Sequence, residues 1–343
     1  TRTTGGITTD ATGAEMYGTI VSIAESPIRP GILFAGTDDG RVWVTKNDGG
    51  SWDELKSFPG LPPNAYVSEI EASPHDSMTV FVTFDNHRVG DFAPYVYHSA
   101  DFGRSFRSIA GALPTGGPDF VHVIKQDPTN PDLLFVGTDV GVFVSLNRGQ
   151  SWQKFMSGLP TVPVNDLKIH PRDKELIAAT HGRAVWIVDI AALQQMTPTV
   201  VAADAFLFEP KTGYQYGDVA FEGQSVGHQW FQAPSPTYGA EISYRLGTRG
   251  SGQTRVVIQD VAGDTIRTLN GPSGMGTHKV VWDYRGKAPA APALSPAGRR
   301  DSIITARRAD FVFDSLGKAG MDTTALNRFR RMLQGGDMQQ MAQ

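Results

Sequence analysis

The chain has 343 residues, of which 40% are hydrophobic, and a formal net charge of -4. This length and composition allow a large buried core and favour two or more domains. The slight acidity gives no electrostatic basis for binding nucleic acid or an anionic membrane. The absence of cysteine excludes disulfides, thiolate metal sites and a cysteine nucleophile.

A repeat dominates the first half of the chain. Residues 21–55 and 121–155 match element by element, and further copies begin at Val67 and Val164. Each copy reads strand, Pro-containing turn, strand, short loop, strand, tight turn, strand, which is typical of a β-propeller blade. The second copy carries an insertion between its second and third strands, and the fourth stops before its last strand.

The remaining sequence loses this period. We predict an all-β fold in which four four-stranded β-propeller units, part of a larger propeller, occupy residues 1–196. Alternating apolar and polar residues between Gly-rich turns predict a small antiparallel β-sandwich over 197–287. Residues 288–343 form a Pro/Ala linker and a helical hairpin, with Ser295 as the N-cap of the first helix.

One short frame, Ser/Thr-x-Asp/Asn-x-Gly-x-Ser-Trp/Phe, ends the third strand of three copies. The Asp or Asn side chain can accept backbone N–H bonds, the Gly supplies a positive φ, and the aromatic ring buries area between neighbouring blades. Because the frame is repeated, we expect a structural role for it. Its central residues are Asn47, Gly49 and Trp52; Asp101, Gly103 and Phe106; and Asn147, Gly149 and Trp152.

The frame resembles the Asp-box, or BNR repeat, of sialidases, sortilin-type receptors and xyloglucanase-type propellers. In those families it lies at the blade periphery, away from the ligand face, which implies the same structural role here. Sialidase activity is disfavoured because that family's Phe/Tyr-Arg-Ile-Pro signature is missing.

Nearly the whole chain resembles a narrower group. "HPRDKELIAATHGRAVWIVD" and "LSPAGRRDSI" are similar to the C-terminal part of bacterial sortilin-like proteins that are often labelled glycosyl hydrolases. "VVIQDVAGDTIRTLN" is similar to the Ig-like domain of flagellar hook-capping proteins. The resemblance implies an extracytoplasmic protein, whether periplasmic, cell-surface or secreted. Four blades are fewer than these families use, so another chain or chain segment is expected to complete the propeller.

Candidate ligand-binding residues lie in loops on the face opposite the repeated frame. Asp38 and Asp139 occupy equivalent positions, so we interpret them, like His170 in its repeated turn, as structural. The insertion at 84–95 is not repeated, and charges beside aromatics suit a carbohydrate or peptide surface. A solvated or blade-packing loop is the alternative. The candidates are Asp85, His87, Arg88, Asp91, Phe92 and Tyr95, with His181 and Arg183 in the fourth copy.

The preferred hypothesis is a noncatalytic extracytoplasmic binding or assembly protein whose propeller face engages a protein or glycan partner. The alternative is a glycoside hydrolase of the xyloglucanase-like propeller type, which needs two carboxylates on one cleft, with Asp85 and Asp91 as candidates. No P-loop, HExxH or EF-hand loop is present, so no metal or cofactor is expected. The sequence contains no run of about 18 apolar residues, so it does not predict a membrane-spanning helix.

Overall fold

The computed structural model describes residues 18–217, 237–248, 250, 252–286 and 295–320. The chain divides into two compact units, residues 1–285 and 286–343. The finer division at residue 196 stays a prediction.

Three four-stranded antiparallel sheets form blades 1, 2 and 3, and in each the strands follow one another in chain order. Blade 1 contains β1 (Ile20–Glu25), β2 (Leu33–Thr37), β3 (Val42–Thr45) and β4 (Asp53–Leu55). Blade 2 contains β5 (Tyr66–Ala72), β6 (Val80–Asp85), β7 (Tyr95–Ser99) and β8 (Arg107–Ser108). Blade 3 contains β9 (Val121–Gln126), β10 (Leu134–Thr138), β11 (Gly141–Ser145) and β12 (Gln153–Lys154).

Blade 4 has three strands, as expected for a copy that stops before its last strand, so three of the four predicted units are four-stranded. They are β13 (Val164–His170), β14 (Glu175–Thr180) and β15 (Val185–Asp189). After β15 the chain enters two short helices, α1 (Ala191–Gln194) and α2 (Pro198–Ala202), instead of a fourth strand. Gln194 Nε2 donates to Asp127 Oδ2 of blade 3 at 2.7 Å and ties α1 there. The all-β fold with successive propeller blades is confirmed.

The hydrophobic cores lie between the blades. The first strands of consecutive blades lie side by side, and the middle strands bury both faces, as near-continuous apolar runs do. In β6, Val82 and Phe84 pack in the cluster shared with blade 1, whereas Phe81 packs in the cluster shared with blade 3. Because successive side chains of a strand point to opposite faces, β6 contributes to the core on each side of blade 2 and so links blades 1, 2 and 3.

The repeated frame forms the same turn in all three blades. The hydroxyl of the first residue accepts a hydrogen bond from the glycine amide, and the Asp or Asn oxygen accepts one from the serine amide. These distances are 2.9 and 2.9 Å in blade 1, 2.9 and 3.0 Å in blade 2, and 2.8 and 2.9 Å in blade 3. We call these segments, 45–52, 99–106 and 145–152, the repeat turns.

The repeat turns of blades 2 and 3 pack on the preceding blade. Trp152 Nε1 donates to the carbonyl of Ile109, beyond β8, at 2.8 Å, and Gly149 lies against the Ile109 side chain. Trp152 is 7% exposed, whereas Trp52, in blade 1, is 39% exposed. The aromatic ring is thus buried where the described chain supplies an earlier blade.

Beyond blade 4, two small antiparallel sheets follow. The first contains β16 (Ala205–Leu207), β17 (Ala240–Leu246) and β20 (Gly276–Trp282), and the second contains β18 (Thr254–Gln259) and β19 (Thr265–Gly271). Arg245 Nη1 donates to the carbonyls of Val200 and Ala203 at 3.3 and 3.0 Å. This arginine fastens β17 to the end of α2.

The second unit contains α3 (Pro296–Lys318). Ser295 Oγ accepts a hydrogen bond from the amide of Gly298 at 3.1 Å, and Pro296 occupies the first turn, as predicted. The second predicted helix lies outside the described residues. Over the ranges that the structure describes, no helix is both long and apolar enough to cross a bilayer.

Candidate functional site

Asp85 belongs to the repeat and not to the insertion, which corrects its interpretation as a non-repeated residue. Leu33, Val80 and Leu134 pair with the first residues of their repeat turns. Counting five residues on from each places Asp38, Asp85 and Asp139 at one equivalent position. The amide of His181 donates to the carbonyl just before the first strand of its blade, as the amides of Asp38 and Asp139 do.

The carboxylates at this position have different partners. Asp38 Oδ1 accepts hydrogen bonds from the amides of Gly18 and Thr19, which is the structural role predicted for it. His87 Nδ1 lies 2.7 Å from each carboxylate oxygen of Asp85, and the His87 amide donates to Oδ1 at 2.9 Å. The Asp85 side chain is 11% exposed. Asp85 therefore serves mainly to hold His87.

The insertion loop, residues 86–94, begins with a 3-10 turn at His87–Val89 that ends at Gly90 with a φ of 82°. The His87 ring stacks on Phe120 of the next inter-blade connector at 4.6 Å. Arg88 places its guanidinium 5.6 Å from the centre of the Tyr66 ring. These contacts fix both sides of the loop to blades 2 and 3.

Asp91 is the polar centre of the insertion loop. Its Oδ2 accepts hydrogen bonds from Asn86 Nδ2 at 2.9 Å and from the Tyr95 hydroxyl at 2.7 Å, and its Oδ1 accepts one from the Ala93 amide. Burial raises the pKa of Asp91, but these three bonds outweigh it and lower the pKa. Burial and the Asp91 carboxylate together raise the pKa of Tyr95 to about 12. Asp91 is therefore ionised at neutral pH.

The tip of the insertion loop is apolar and exposed. Val89 is 76% exposed and Phe92 is 46% exposed, with the Phe92 ring 6.1 Å from Phe120. Phe92 borders a shallow depression of about 540 Å³ whose other side is the connector at 115–118. The structure thus places five of the six predicted loop residues in two contact groups, Asp85, His87 and Phe92 around Phe120, and Asp91 with Tyr95, with Arg88 at their edge.

His181 and Arg183 lie apart from these groups, in the loop between β14 and β15. The carbonyl of Arg183 accepts a hydrogen bond from Trp186 Nε1 at 2.8 Å. Among the described residues, no hydrogen bond, ion pair or ring contact joins either residue to the insertion loop. His170 keeps its predicted local role, since its Nδ1 accepts a bond from the Asp173 amide at 3.2 Å.

A charged triad in the inner strands was missed by sequence reasoning. Lys125 Nζ of β9 lies 2.6 Å from Glu69 Oε1 and 2.8 Å from Glu71 Oε2 of β5. Burial raises the pKa of Glu71, and the two carboxylates raise the pKa of Lys125 against the effect of burial. The triad borders a groove of about 390 Å³ along the inner strands. The available signal was charge at alternate positions of an apolar strand.

A second feature missed by sequence reasoning is a cleft between blade 4 and the sheet that follows it. It is lined by Glu175 and Asp189 of blade 4, by the segment 211–216 and by β17 and β20 residues. The described residues contain no group of three or more His, Asp or Glu side chains that could hold a metal ion.

No protein-family model and no curated protein matches the sequence. Among solved structures, the GH74 xyloglucanase from Xanthomonas campestris aligns at 14% identity and a TM-score of 0.40. The alignment covers 51% of this chain and 30% of that enzyme. YCF48 bound to D1 peptide aligns at 11% identity and a TM-score of 0.36, over 73% of this chain and 68% of its own. YCF48 from Cyanidioschyzon merolae aligns at 15% identity and a TM-score of 0.34, over 49% and 55%. Similarity at this level assigns no function to the chain.

Proposed function

We propose that the protein is a noncatalytic, extracytoplasmic binding or assembly protein that engages a protein partner through the tip of the insertion loop. The observation that carries the proposal is an exposed apolar tip, Val89 and Phe92, on a loop whose polar side chains are bonded internally. Such a tip loses little conformational entropy on binding, and exposed aromatic residues are frequent anchors of protein interfaces.

The hydrolase alternative receives no support from the carboxyl groups of this loop. A glycosidase needs a general acid that is protonated near neutral pH, which requires a raised pKa. The pKa of Asp91 is lowered instead. Asp85 has both oxygens within 2.7 Å of His87 Nδ1.

The ends of the blade array support the assembly part of the proposal. Trp52 at the start and the strand β15 at the finish expose apolar side chains that equivalent elements of blades 2 and 3 largely bury. We propose that these are contact surfaces for further blades. We assign the repeat turns to the Asp-box type and the two later sheets to the Ig-like type, in keeping with a sortilin-like extracytoplasmic protein.

Site-specific photo-crosslinking tests the binding site. A photoreactive phenylalanine replaces Phe92 in one variant and Met78 in another. Met78 is 44% exposed and lies in the turn before β6, at the opposite end of blade 2. In the native host, the variant at 92 is expected to give a discrete protein adduct that is lost when Val89→Ser is added, and the variant at 78 is expected to give none.

Two outcomes would contradict the proposal. One is the same set of adducts from both positions, or none from position 92. The other is sugar release from a polysaccharide panel that is abolished by Asp91→Asn, because this would assign catalysis to the loop.

A further inference from the structure

The cleft between blade 4 and the sheet β16–β17–β20 has a volume of about 330 Å³. One wall consists of Glu175 and Asp189, which are cross-strand partners in β14 and β15. Glu241 on β17, whose side chain lies next to that of Asp189, and Lys279 on β20 complete the charged lining. The whole cleft belongs to the first compact unit, and it lies outside the insertion loop.

Lys211 fixes the segment 211–216 to blade 4. Its Nζ donates to Asp189 Oδ2 at 2.7 Å and to the carbonyl of Asp173 at 3.3 Å. On the β17–β20 side, Lys279 Nζ donates to Glu241 Oε1 at 2.8 Å. The cleft is therefore lined by carboxylates and ammonium groups that are already held in place. Its three carboxylates and two ammonium groups nearly balance, which favours an uncharged ligand over a strongly charged one.

Three exposed tyrosine side chains line the cleft beside these charged groups. Tyr214 is 68% exposed, Tyr216 is 59% exposed and Tyr238 is 38% exposed. The Tyr216 and Tyr238 rings meet edge to face at 4.9 Å, and Tyr238 meets Tyr284 in the same way at 5.6 Å. Exposed aromatic faces next to fixed hydrogen-bonding groups match a ligand that has both apolar C–H faces and hydroxyl groups.

Tyr284 supports this aromatic cluster at a cost in stability. Among the described residues its buried hydroxyl oxygen has no hydrogen-bond partner, and its φ is 61°, in the left-handed region. It lies against Gly213, where an added Cβ would approach the oxygen to 2.2 Å. A buried hydroxyl without a partner lowers stability and is uncommon in folded proteins, so this cluster is a candidate functional surface.

We propose that this cleft binds a neutral oligosaccharide. Tyr214 and Tyr216 stack against the C–H faces of the sugar rings, and Glu175, Asp189 and Glu241 accept hydrogen bonds from sugar hydroxyls. A sugar fits better than an extended peptide because the cleft walls offer flat aromatic faces and charged groups in place of apolar side-chain pockets. The proposal rests on the cleft alone and is independent of the function assigned to the insertion loop.

Isothermal titration of the intact chain tests the proposal with a panel of neutral oligosaccharides: cello-, xylo-, malto-, manno- and chito-oligosaccharides and a xyloglucan fragment. Saturable binding of at least one is expected. Tyr214→Ala and Tyr216→Ala are each expected to weaken it about tenfold, which corresponds to about 1.4 kcal/mol. Tyr214→Phe keeps the stacking face and is expected to lose less affinity.

Phe311→Ala is the matched control, because it removes a 73% exposed ring of α3 that is not part of the cleft and is expected to leave sugar affinity unchanged. Since Tyr214 and Tyr216 are exposed, their alanine variants are expected to keep the thermal midpoint of the parent chain. The absence of binding across the panel, or binding that both alanine variants retain in full, would overturn the proposal. Failure of the crosslinking at position 92 would leave it unaffected.

Discussion

At the centre of each repeat turn, Asn47, Asp101 or Asn147 supplies one shared feature, a side-chain oxygen that accepts a hydrogen bond. Each accepts a hydrogen bond from a serine amide four residues later, at 2.9–3.0 Å. The asparagines also donate to the serine hydroxyl, whereas the Ser105 hydroxyl donates to Asp101 Oδ2 at 2.6 Å. The serine hydroxyl accepts a hydrogen bond from asparagine and donates one to aspartate, so either an amide or a carboxylate side chain fits the same turn.

Asp101→Asn is accordingly expected to change the free energy of unfolding by less than about 0.5 kcal/mol at neutral pH, whereas Asp101→Ala is expected to cost about 1 kcal/mol. The bonds from Ser105 and Ser99 lower the pKa of Asp101 from 3.8 to about 2. The stabilisation due to its charge is therefore present above pH 3.8 and lost as the pH falls to about 2. Urea unfolding across this range is expected to show a smaller acid-induced loss for Asp101→Asn. Equal losses for Asn and Ala at neutral pH would refute this account.

At the scale of elements, the repeat turns act as links between blades. Gly103 has a φ of 79°, and a Cβ there would approach Leu55 Cδ1 of blade 1 to 2.3 Å. Gly49 also has a positive φ, but the nearest atom to its Cβ would be Trp52 Nε1 at 3.9 Å. The same glycine thus serves backbone conformation in blade 1 and both conformation and packing in blade 2.

Trp52 and Trp152 offer a matched comparison of this packing. Trp152→Ala is expected to cost about 3–5 kcal/mol because the ring is buried and its Nε1 donates to Ile109. Trp52→Ala, in a turn with the same hydrogen bonds, is expected to cost less than about 1 kcal/mol because the ring is 39% exposed. Urea unfolding followed by circular dichroism measures both. Equal losses would mean that the ring stabilises its own turn instead of the blade interface.

The blades could be predicted from the sequence because their signals are local: a two-residue apolar period, turn residues at fixed offsets, and repetition. Asp85 was misassigned because Phe84 stands where blades 1 and 3 have Thr37 and Thr138, which hides the alignment. The tyrosine cleft depends on pairing distant in sequence: β17 pairs with β20, and Lys211 reaches Asp189. Contacts between residues so far apart produce no periodic pattern in the sequence, so the cleft could not be predicted from it.

At the scale of the whole molecule, the last strand of the blade array, β15, is an apolar edge strand among the described residues. Val185 and Ile187 of β15 are 59% and 62% exposed, and in the described part of the chain no fourth strand pairs with β15. An uncovered apolar edge is a template for pairing with another chain.

Ile187→Lys is therefore expected to reduce concentration-dependent self-association of the chain in sedimentation velocity experiments. It is expected to change the free energy of unfolding by less than about 0.5 kcal/mol because the side chain is exposed. Val257→Lys, at a 50% exposed position of β18, is the control and is expected to leave self-association as it is in the parent chain. Identical behaviour of the two lysine variants would remove β15 as the associating edge.

The one-directional packing of the repeat turns also bears on how the molecule is made. Trp152 and Gly149 contact Ile109, and Gly103 contacts Leu55, so the turns of blades 2 and 3 each meet a blade that was synthesised before them. A ribosome releases the chain from its N-terminus, and early segments can fold while later ones are still being made. A newly emerged turn in blade 2 or 3 therefore finds its docking surface already present. The blade array is suited to grow by adding one blade at a time to a finished edge.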